Sequence, residues 1–351
     1  MKNTPLKILP WLICMAPIAS FADNSDTGTW SNVIPMEIVP VAVANLPDGN
    51  LLTWSAKDRM AFGGNNGRSY TSIFDSYNQT SSTVLLSNTD HDMFCPGINN
   101  LPDGRVLVAG GSGNDKTSIY NPDTGQWEKG EAMNTVRGYQ GQVTMGDGSI
   151  FTVGGSWSGP IGDKNAEIWT QESGWIAYPG ITSDATVRDG SEVEPRGEYR
   201  DDNHAWLWAA PNGKVFHAGP SSKMHWIDPD GKDKVTSAGP RGSDTYAMNG
   251  TTVMYDVGKI LKVGGAQAYG QSYAGSGNTY IIDINSDTAA VEQVQSLAKP
   301  RTLHNSVVLP NGEVLVIGGM EKTILFSDQD SVLTPELWSP VTKTWKQLKA
   351  M

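Results

Sequence analysis

The residue best suited to chemistry in this sequence is Cys95, which lies in segment 91–97, His-Asp-Met-Phe-Cys-Pro-Gly. The only other cysteine, Cys14, falls in an N-terminal stretch that has the features of a secretory leader. Exported proteins normally pair their cysteines, so a single one indicates an intermolecular bond or a free thiol with a function. The alternative is a buried thiol that packs as a small apolar side chain.

Residues 1–22 have the pattern of a signal peptide. Lys2 and Lys7 precede an apolar run over 8–18, which is too short to span a bilayer, and Ser20 and Ala22 supply small side chains for cleavage. We therefore expect a mature chain of residues 23–351 that is secreted or periplasmic. The alternative for this stretch is a buried N-terminal element.

The charge of the chain excludes some partners. The sequence has 26 Lys and Arg against 37 Asp and Glu, a formal net charge of −11. Nucleic acids and anionic membrane surfaces attract basic proteins, so neither is an expected partner. After the leader, no apolar run is long enough to cross a membrane. The expected partners are small molecules.

The elements that must position Cys95 follow from a unit that recurs six times. Each copy has a turn written Pro-Asp-Gly or a variant, then a short apolar run, and usually a Gly-Gly pair. The turn glycines are Gly49, Gly104, Gly148, Gly213, Gly258 and Gly312, separated by steps of 55, 44, 65, 45 and 54. A period of about 50 residues is typical of kelch repeats, in which four strands form one propeller blade. The turn suits a hairpin, and the apolar run suits a buried inner strand.

An aromatic residue, a turn and a tryptophan follow several of the glycine pairs. They occur at Tyr120 and Trp127, at Trp169 and Trp175, and at Trp338 and Trp345. These pairs predict outer strands whose rings wedge between neighbouring sheets, and no stretch has a helical period. The sequence therefore predicts an all-β, kelch-type β-propeller with six recognisable blades. A further step would pass residue 351, so we expect six blades of a seven-blade ring.

Four segments carry a resemblance to a known family. They are 91–97, 137–140 (Arg-Gly-Tyr-Gln), 154–159 (Gly-Gly-Ser-Trp-Ser-Gly) and 199–206 (Tyr-Arg-Asp-Asp-Asn-His-Ala-Trp). These segments match in order and spacing. From about Trp30 to the end, the chain resembles the galactose oxidase and glyoxal oxidase family of copper radical oxidases, which have kelch-type propellers. The resemblance implies oxidation of a primary alcohol or aldehyde, with oxygen reduced to hydrogen peroxide.

The resemblance also implies roles for individual residues. Cys95 matches the cysteine that is joined through sulfur to a tyrosine, and Tyr139 matches that tyrosine, which is also a copper ligand and the radical carrier. Trp157 matches the indole stacked over the thioether. Such a thioether donates electron density to the phenol ring, and copper(II) favours a tetragonal set of nitrogen and oxygen ligands. The implied substrate-pocket residues are Phe62, Arg200 and Tyr269.

The chain departs from the family in its metal ligands. The family takes three further copper ligands from an adjacent Tyr-His pair and from a later β-domain, whereas none of the five histidines here directly follows a tyrosine. We therefore expect an incomplete propeller without its last blade and C-terminal β-domain. Such an oxidase would be inactive as this chain alone, unless another polypeptide completes it. Leu303 stands where an aromatic pocket residue is expected, which speaks against galactose itself.

Two other functions remain open. One is a secreted propeller that binds carbohydrate or protein without catalysis. The other, a sialidase-like hydrolase, fits less well, because it would need an arginine cluster and Asp-box turns where these repeats carry Gly-Gly. Arg200 would otherwise be part of a loop ion pair, and His204 a hydrogen-bonded strand histidine. The remaining histidines considered, which show no ligand spacing, are expected to be structural or on the surface: His217, His225 and His304.

Overall fold

The computed structural model describes residues 27–61, 67–190, 193, 201–231, 234–270 and 272–351. The predicted leader, 1–22, lies outside them. The described residues form six four-stranded antiparallel sheets, in each of which the strands follow sequence order from one edge to the other. We number these sheets as blades 1 to 6 along the chain. The predicted all-β propeller with six blades is confirmed, while the seven-blade count stays a prediction.

The strands of the first three blades come from the first half of the chain. Blade 1 contains β1 (Ala42–Asn45), β2 (Leu51–Trp54), β3 (Ser69–Asp75) and β4 (Thr80–Leu86); blade 2 contains β5 (Gly97–Asn100), β6 (Val106–Ala109), β7 (Thr117–Asn121) and β8 (Gln126–Lys129); blade 3 contains β9 (Gly141–Thr144), β10 (Ile150–Val153), β11 (Ala166–Thr170) and β12 (Gly174–Tyr178).

The second half of the chain repeats the arrangement. Blade 4 contains β13 (Trp206–Ala209), β14 (Val215–Gly219), β15 (Lys223–Ile227) and β16 (Val235–Pro240); blade 5 contains β17 (Thr251–Asp256), β18 (Lys259–Val263), β19 (Thr279–Asp283) and β20 (Ala290–Val294); blade 6 contains β21 (Asn305–Val308), β22 (Val314–Ile317), β23 (Glu336–Ser339) and β24 (Thr344–Gln347). A one-turn helix, α1 (Ser183–Thr186), and a short 3-10 helix, Gly111–Gly113, complete the described elements. No helix in the described part of the chain has the length and apolar character needed to span a bilayer.

Each turn-and-run unit forms the hairpin between the first and second strands of a blade. The turn glycines have φ between 66° and 88°, a conformation that glycine adopts without steric cost. The Gly104 N–H, for example, donates to the Leu101 carbonyl at 2.9 Å. The following runs become the second strands, and those of blades 2 and 3 are buried along their whole length.

The Gly-Gly pairs allow neighbouring blades to approach closely. A Cβ on Gly154 would overlap the carbonyl oxygen of Asp202, in the segment that leads into the next blade. The Gly155 N–H donates to that same carbonyl at 2.8 Å, and Gly111 and Gly265 make equivalent bonds to Arg137 and Arg301. In blade 4, Pro220 stands in place of the second glycine of the pair, and it has no N–H to donate. Its carbonyl instead accepts from the Ala247 N–H at 3.0 Å.

The apolar core lies between consecutive sheets. Five clusters of buried side chains join blades 1 and 2, 2 and 3, 3 and 4, 4 and 5, and 5 and 6. The predicted aromatic pairs face each other across the outer strands: Tyr120 and Trp127, Trp169 and Trp175, and Trp338 and Trp345. Most of these rings are buried in the clusters, so the expected wedge packing is confirmed.

Blades 1 and 6 differ from the others on one face each. The side chain of Val43 in β1 is 55% exposed, and that of Val307 in β21 is 49% exposed. A Cβ on Gly318, at the start of the blade 6 glycine pair, would meet none of the described atoms within 4 Å. We call these two faces, with Val43, Val307 and Gly318, the open side of the propeller. Residues close to the N-terminal end of the described chain cross to blade 6, where the Trp30 indole donates to the Lys349 carbonyl at 2.8 Å.

Candidate active site

Five blades place one residue each at an equivalent position near the propeller axis. The position lies two residues before the first strand of blades 2 to 6, and its occupants all have φ between 57° and 61°: Cys95, Tyr139, His204, Asn249 and Leu303. We call it the axial position. Non-glycine residues rarely adopt this left-handed conformation, so its recurrence indicates that the surrounding structure imposes it.

Backbone hydrogen bonds connect several axial residues. The Tyr139 N–H donates to the Cys95 carbonyl at 3.1 Å, and the His204 N–H donates to the Tyr139 carbonyl at 2.7 Å. The Leu303 N–H donates to the Asn249 carbonyl, also at 2.7 Å. Each bond links one blade to the next, so neighbouring axial side chains are held side by side.

Cys95 and Tyr139 are brought together by this arrangement. Their backbones are joined by the 3.1 Å hydrogen bond, both residues line one cavity, and Cys95 is a free, partly exposed cysteine. Burial, the largest cause, raises the pKa of the Cys95 thiol to about 12. Burial also raises the pKa of the Tyr139 phenol, helped by the nearby Cys95 and Tyr269. Both groups are therefore protonated at neutral pH.

Tyr269 lies at the centre of an aromatic stack beside Tyr139. The Trp157 ring stacks on it at 5.9 Å and 25°, and the His204 ring stacks on it at 5.6 Å and 23°. The centroids of the Tyr139 and Tyr269 rings lie 6.4 Å apart. Trp157 meets the Tyr139 ring edge-on, at 5.3 Å and 69°. The indole therefore stacks on Tyr269 in this structure, whereas the resemblance implies stacking over the thioether.

A cavity of about 600 Å³ opens onto Cys95 and Tyr139. Its other lining residues are mostly apolar and come from blade 1, the segment before Cys95 and a loop of blade 6: Val39, Val41, Ser55, Ala56, Arg59, Met60, Ala61, Phe94 and Phe326. The charged exception, Arg59, is paired with Glu37 at 3.1 Å and lies over the Tyr70 ring. The cavity can admit a small molecule to the Cys95–Tyr139 pair.

The described residues do not form a complete copper site. Copper(II) prefers several nitrogen and oxygen ligands in a tetragonal arrangement, and Tyr139 supplies one oxygen, with the His204 ring 4.4 Å from its own. Within the described ranges, no group of three or more His, Cys, Asp or Glu side chains could hold a metal ion. Among the described residues, Tyr139 would therefore supply one copper ligand and the rest of the set is not present.

The other four histidines are engaged elsewhere. His91 hydrogen-bonds to Ser118 and to the Gly110 carbonyl. The Nδ1 atoms of His217 and His225 lie 3.2 Å apart across strands β14 and β15, and His304 Nε2 lies 3.1 Å from Thr251 Oγ1. These contacts agree with the structural roles expected for His217, His225 and His304.

Of the six site residues predicted from the sequence, four lie together. They are Cys95, Tyr139, Trp157 and Tyr269, while Phe62 and Arg200 lie outside the described residues. Sequence reasoning missed His204 as a neighbour of Tyr139, and it missed Asn249, whose amide donates to the Tyr269 carbonyl at 3.2 Å.

A simple spacing could have found both missed residues. Each axial residue lies nine positions before the turn glycine of its own blade, as in Cys95 and Gly104, or Tyr139 and Gly148. The same offset from Gly213 and Gly258 leads to His204 and Asn249.

Two known proteins are similar to this chain along nearly all of its length. No protein-family model matches the chain. A galactose oxidase of Gibberella zeae (strain PH-1) is 39% identical over 354 residues, which cover 96% of this chain and 51% of that protein, and a second Gibberella zeae galactose oxidase matches to the same extent. The chain thus spans about half the length of the curated relatives it matches.

One solved structure is similar along most of the chain. It is a fungal alcohol oxidase of the AA5 family, described as having catalytic diversity within that family and solved in complex with copper. The two superpose with a TM-score of 0.86 at 37% sequence identity, covering 93% of this chain and 68% of that one.

Proposed function

This chain belongs to the galactose oxidase family of copper radical oxidases, and on that premise we propose that it carries the Cys95–Tyr139 half of an alcohol-oxidising site. The reaction class is the conversion of a primary alcohol and oxygen into an aldehyde and hydrogen peroxide. The observation that carries this proposal is that Cys95 and Tyr139 lie side by side, joined by a 3.1 Å backbone hydrogen bond, on the wall of one cavity. Related substrates would be small aldehydes or carbohydrates with a primary hydroxyl group.

The pair is proposed to become a thioether. A bond forms between the Cys95 sulfur and the ring carbon next to the Tyr139 hydroxyl, and one hydrogen atom leaves each partner. The two electrons and two protons reduce one oxygen molecule to hydrogen peroxide. Trp157 and Tyr269 pack beside the Tyr139 ring and restrict its access to water. The predicted roles of Phe62 and Arg200 in substrate binding are part of the same proposal.

Copper is the proposed cofactor, with Tyr139 as one ligand. Because the described residues lack a complete donor set, the other ligands are proposed to come from polypeptide outside them, either on the same chain or on a completing partner. Without that contribution, the described part alone would be inactive as an oxidase.

A seventh, kelch-type blade is proposed to occupy the open side. In blades 2, 3 and 5, the first glycine of each pair lies against a backbone carbonyl of the segment that leads into the next blade. Gly318 has the same left-handed conformation, with φ of 69°, but meets none of the described atoms. A further blade would bring an equivalent carbonyl to Gly318 and cover Val43 and Val307.

Export is proposed from the pattern of residues 1–22. Expression of the full sequence in a Gram-negative host, followed by N-terminal sequencing of the periplasmic protein, tests it. A mature N-terminus at Asp23 is the expected result, and an uncleaved cytoplasmic chain would contradict export.

Mass spectrometry tests the proposed site. The chain is incubated with copper(II) in air, alone and after co-expression with the C-terminal half of a curated relative. We expect the completed protein to lose two hydrogen atoms, mapped to a linked peptide pair that contains Cys95 and Tyr139. Tyr139→Phe should abolish the loss, because the phenol is needed, whereas the matched control Tyr255→Phe should retain it.

The second candidate function, binding of carbohydrate or protein without catalysis, gives a different result. The Cys95 thiol would then stay alkylatable and no copper would be retained, even in the completed protein. A thioether in the completed protein, absent from Tyr139→Phe, would exclude the binding-only function.

A further inference from the structure

Met60 occupies an unusual place among the methionines of this chain. It lines the cavity that contains Cys95 and Tyr139, and its side chain is 70% exposed. The described methionines are otherwise mostly buried, as with Met93 and Met248 at 0%. Met351, at 50% exposed, is the comparable case, and it does not line this cavity.

Because hydrogen peroxide is the proposed product at this cavity, an exposed methionine sulfur on its wall is significant. Hydrogen peroxide oxidises accessible methionine to its sulfoxide, and susceptibility follows exposure. The other sulfur on the cavity wall is Cys95, which must form a thiolate to react with peroxide. In the proposed active state Cys95 is bonded to Tyr139 as a thioether, so no Cys95 thiolate is present to compete for peroxide. Met60 is left as the reactive sulfur of this wall.

We propose that Met60 is a peroxide-modified site, converted to methionine sulfoxide by the product released at the neighbouring Cys95–Tyr139 pair. The source of peroxide rests on the proposed oxidase function. In the step, the Met60 sulfur gains one oxygen atom and loses two electrons, while hydrogen peroxide is reduced to water. The balance needs no other reactant.

The modification changes the character of the cavity wall. Met60 lies among apolar lining residues such as Val39, Val41 and Phe326. A sulfoxide replaces a flexible apolar group with a polar, chiral one. Oxidation therefore makes the wall more polar as turnovers accumulate, and a methionine sulfoxide reductase can restore it.

The decisive experiment uses added hydrogen peroxide, so it does not depend on the chain making its own. The full chain is treated with dilute peroxide, sampled over time and mapped by peptide mass spectrometry. We expect Met60 to gain an oxygen atom at a rate comparable to that of Met351 and at least about tenfold faster than Met93 and Met248, because oxidation follows exposure. Oxidation of Met60 as slow as that of the buried pair would overturn the proposal.

A second arm tests the source of the peroxide. The copper-loaded, completed protein is given oxygen and a primary alcohol with catalase in the surrounding solution. Catalase removes peroxide that has diffused away, so Met60 should still be oxidised while Met351 is spared. Protection of both residues during measured aldehyde formation would overturn local delivery. If no aldehyde forms, the proposed function has failed, and the added-peroxide arm still decides whether Met60 is a peroxide site.

Discussion

The closed and open sides of the propeller use the same repeat in different surroundings. Between blades 3 and 4, Gly154 lies against the Asp202 carbonyl and the flanking strands are covered. On the open side, Gly318 meets none of the described atoms and Val307 is half exposed. At Gly154 the missing side chain allows close contact with the next blade, whereas at Gly318 none of the described atoms makes that contact.

The largest expected loss of stability comes from removing buried ion pairs that lie within a single blade. In blade 3, Glu167 accepts from the backbone N–H groups of Asn134 and Thr135 and from Arg137, all at 2.7–2.9 Å. In blade 6, Glu336 accepts in the same way from Ala298, Lys299 and Arg301. Both arginine–glutamate pairs are almost fully buried.

Glu167→Ala and Glu336→Ala should each lower the free energy of unfolding by about 3–5 kcal/mol, because each leaves a buried arginine without its charged partner. Urea denaturation measures the change. Glu292→Ala is the control, since its ion pair with Lys343 is half exposed and should be worth less than about 1 kcal/mol. A much smaller cost for Glu336→Ala than for Glu167→Ala would show that the open side extends into the interior of blade 6.

The second prediction compares the closed and open sides of the propeller through one alanine substitution on each. Gly154→Ala and Gly318→Ala both place a Cβ at positive φ, which costs about 1–2 kcal/mol. At Gly154 the Cβ also overlaps the Asp202 carbonyl, and such overpacking adds about 1–3 kcal/mol. Thermal unfolding of the two variants should therefore differ clearly, with Gly154→Ala the less stable. Equal losses would mean that Gly318 has a neighbour after all.

The third effect concerns two buried histidines in distant blades and should be similar for both. Burial lowers the pKa of His91 to about 4 and that of His304 to about 3, from 6.5. Between pH 6.5 and these values, the unfolded chain binds a proton that the folded histidine does not, so stability falls as the pH falls. Each histidine should cost about 2 kcal/mol between pH 7 and pH 5.

Urea denaturation at several pH values measures this dependence. His91→Gln and His304→Gln should each flatten it by a similar amount. A flattening in one variant only would show that the two buried histidines lie in different environments.

The smallest effect tests the open side as a surface. Val43→Thr and Val307→Thr should change the stability by less than about 0.5 kcal/mol, because both side chains are half exposed. They should reduce self-association of the isolated chain, as measured by sedimentation, since exposed apolar faces promote contact between copies. The matched control, Val108→Thr, buries a hydroxyl and should cost about 1–3 kcal/mol. Unchanged association in the double variant would argue against an exposed docking face.

Much of the fold was predictable because its signals are local. Turns such as 102–104 and the runs after them determine hairpins within a few residues, and the aromatic pairs mark the outer strands. The family was predictable from four short motifs, and the comparisons confirm it. The roles of the site residues stay predictions.

The rest depended on contacts between blades, which local patterns do not encode. The nine-residue offset from Gly213 could have assigned His204 to the axial position, but its distance of 4.4 Å from the Tyr139 ring follows from how blades 3 and 4 dock. The orientation of Trp157 is similar: the residue is 46% exposed, and its stacking partner is Tyr269, more than 100 positions away in sequence.

The axial hydrogen bonds also give the centre of the propeller a direction. Each runs from the N–H of one blade to the carbonyl of the blade before it, as from Tyr139 to Cys95. In blade 1, nine positions before Gly49, the equivalent residue is Pro40. Proline has no N–H and a fixed negative φ, so the series can begin at Pro40 but cannot pass through it. The series therefore cannot continue backwards through blade 1, and a blade placed before it would be held by other contacts.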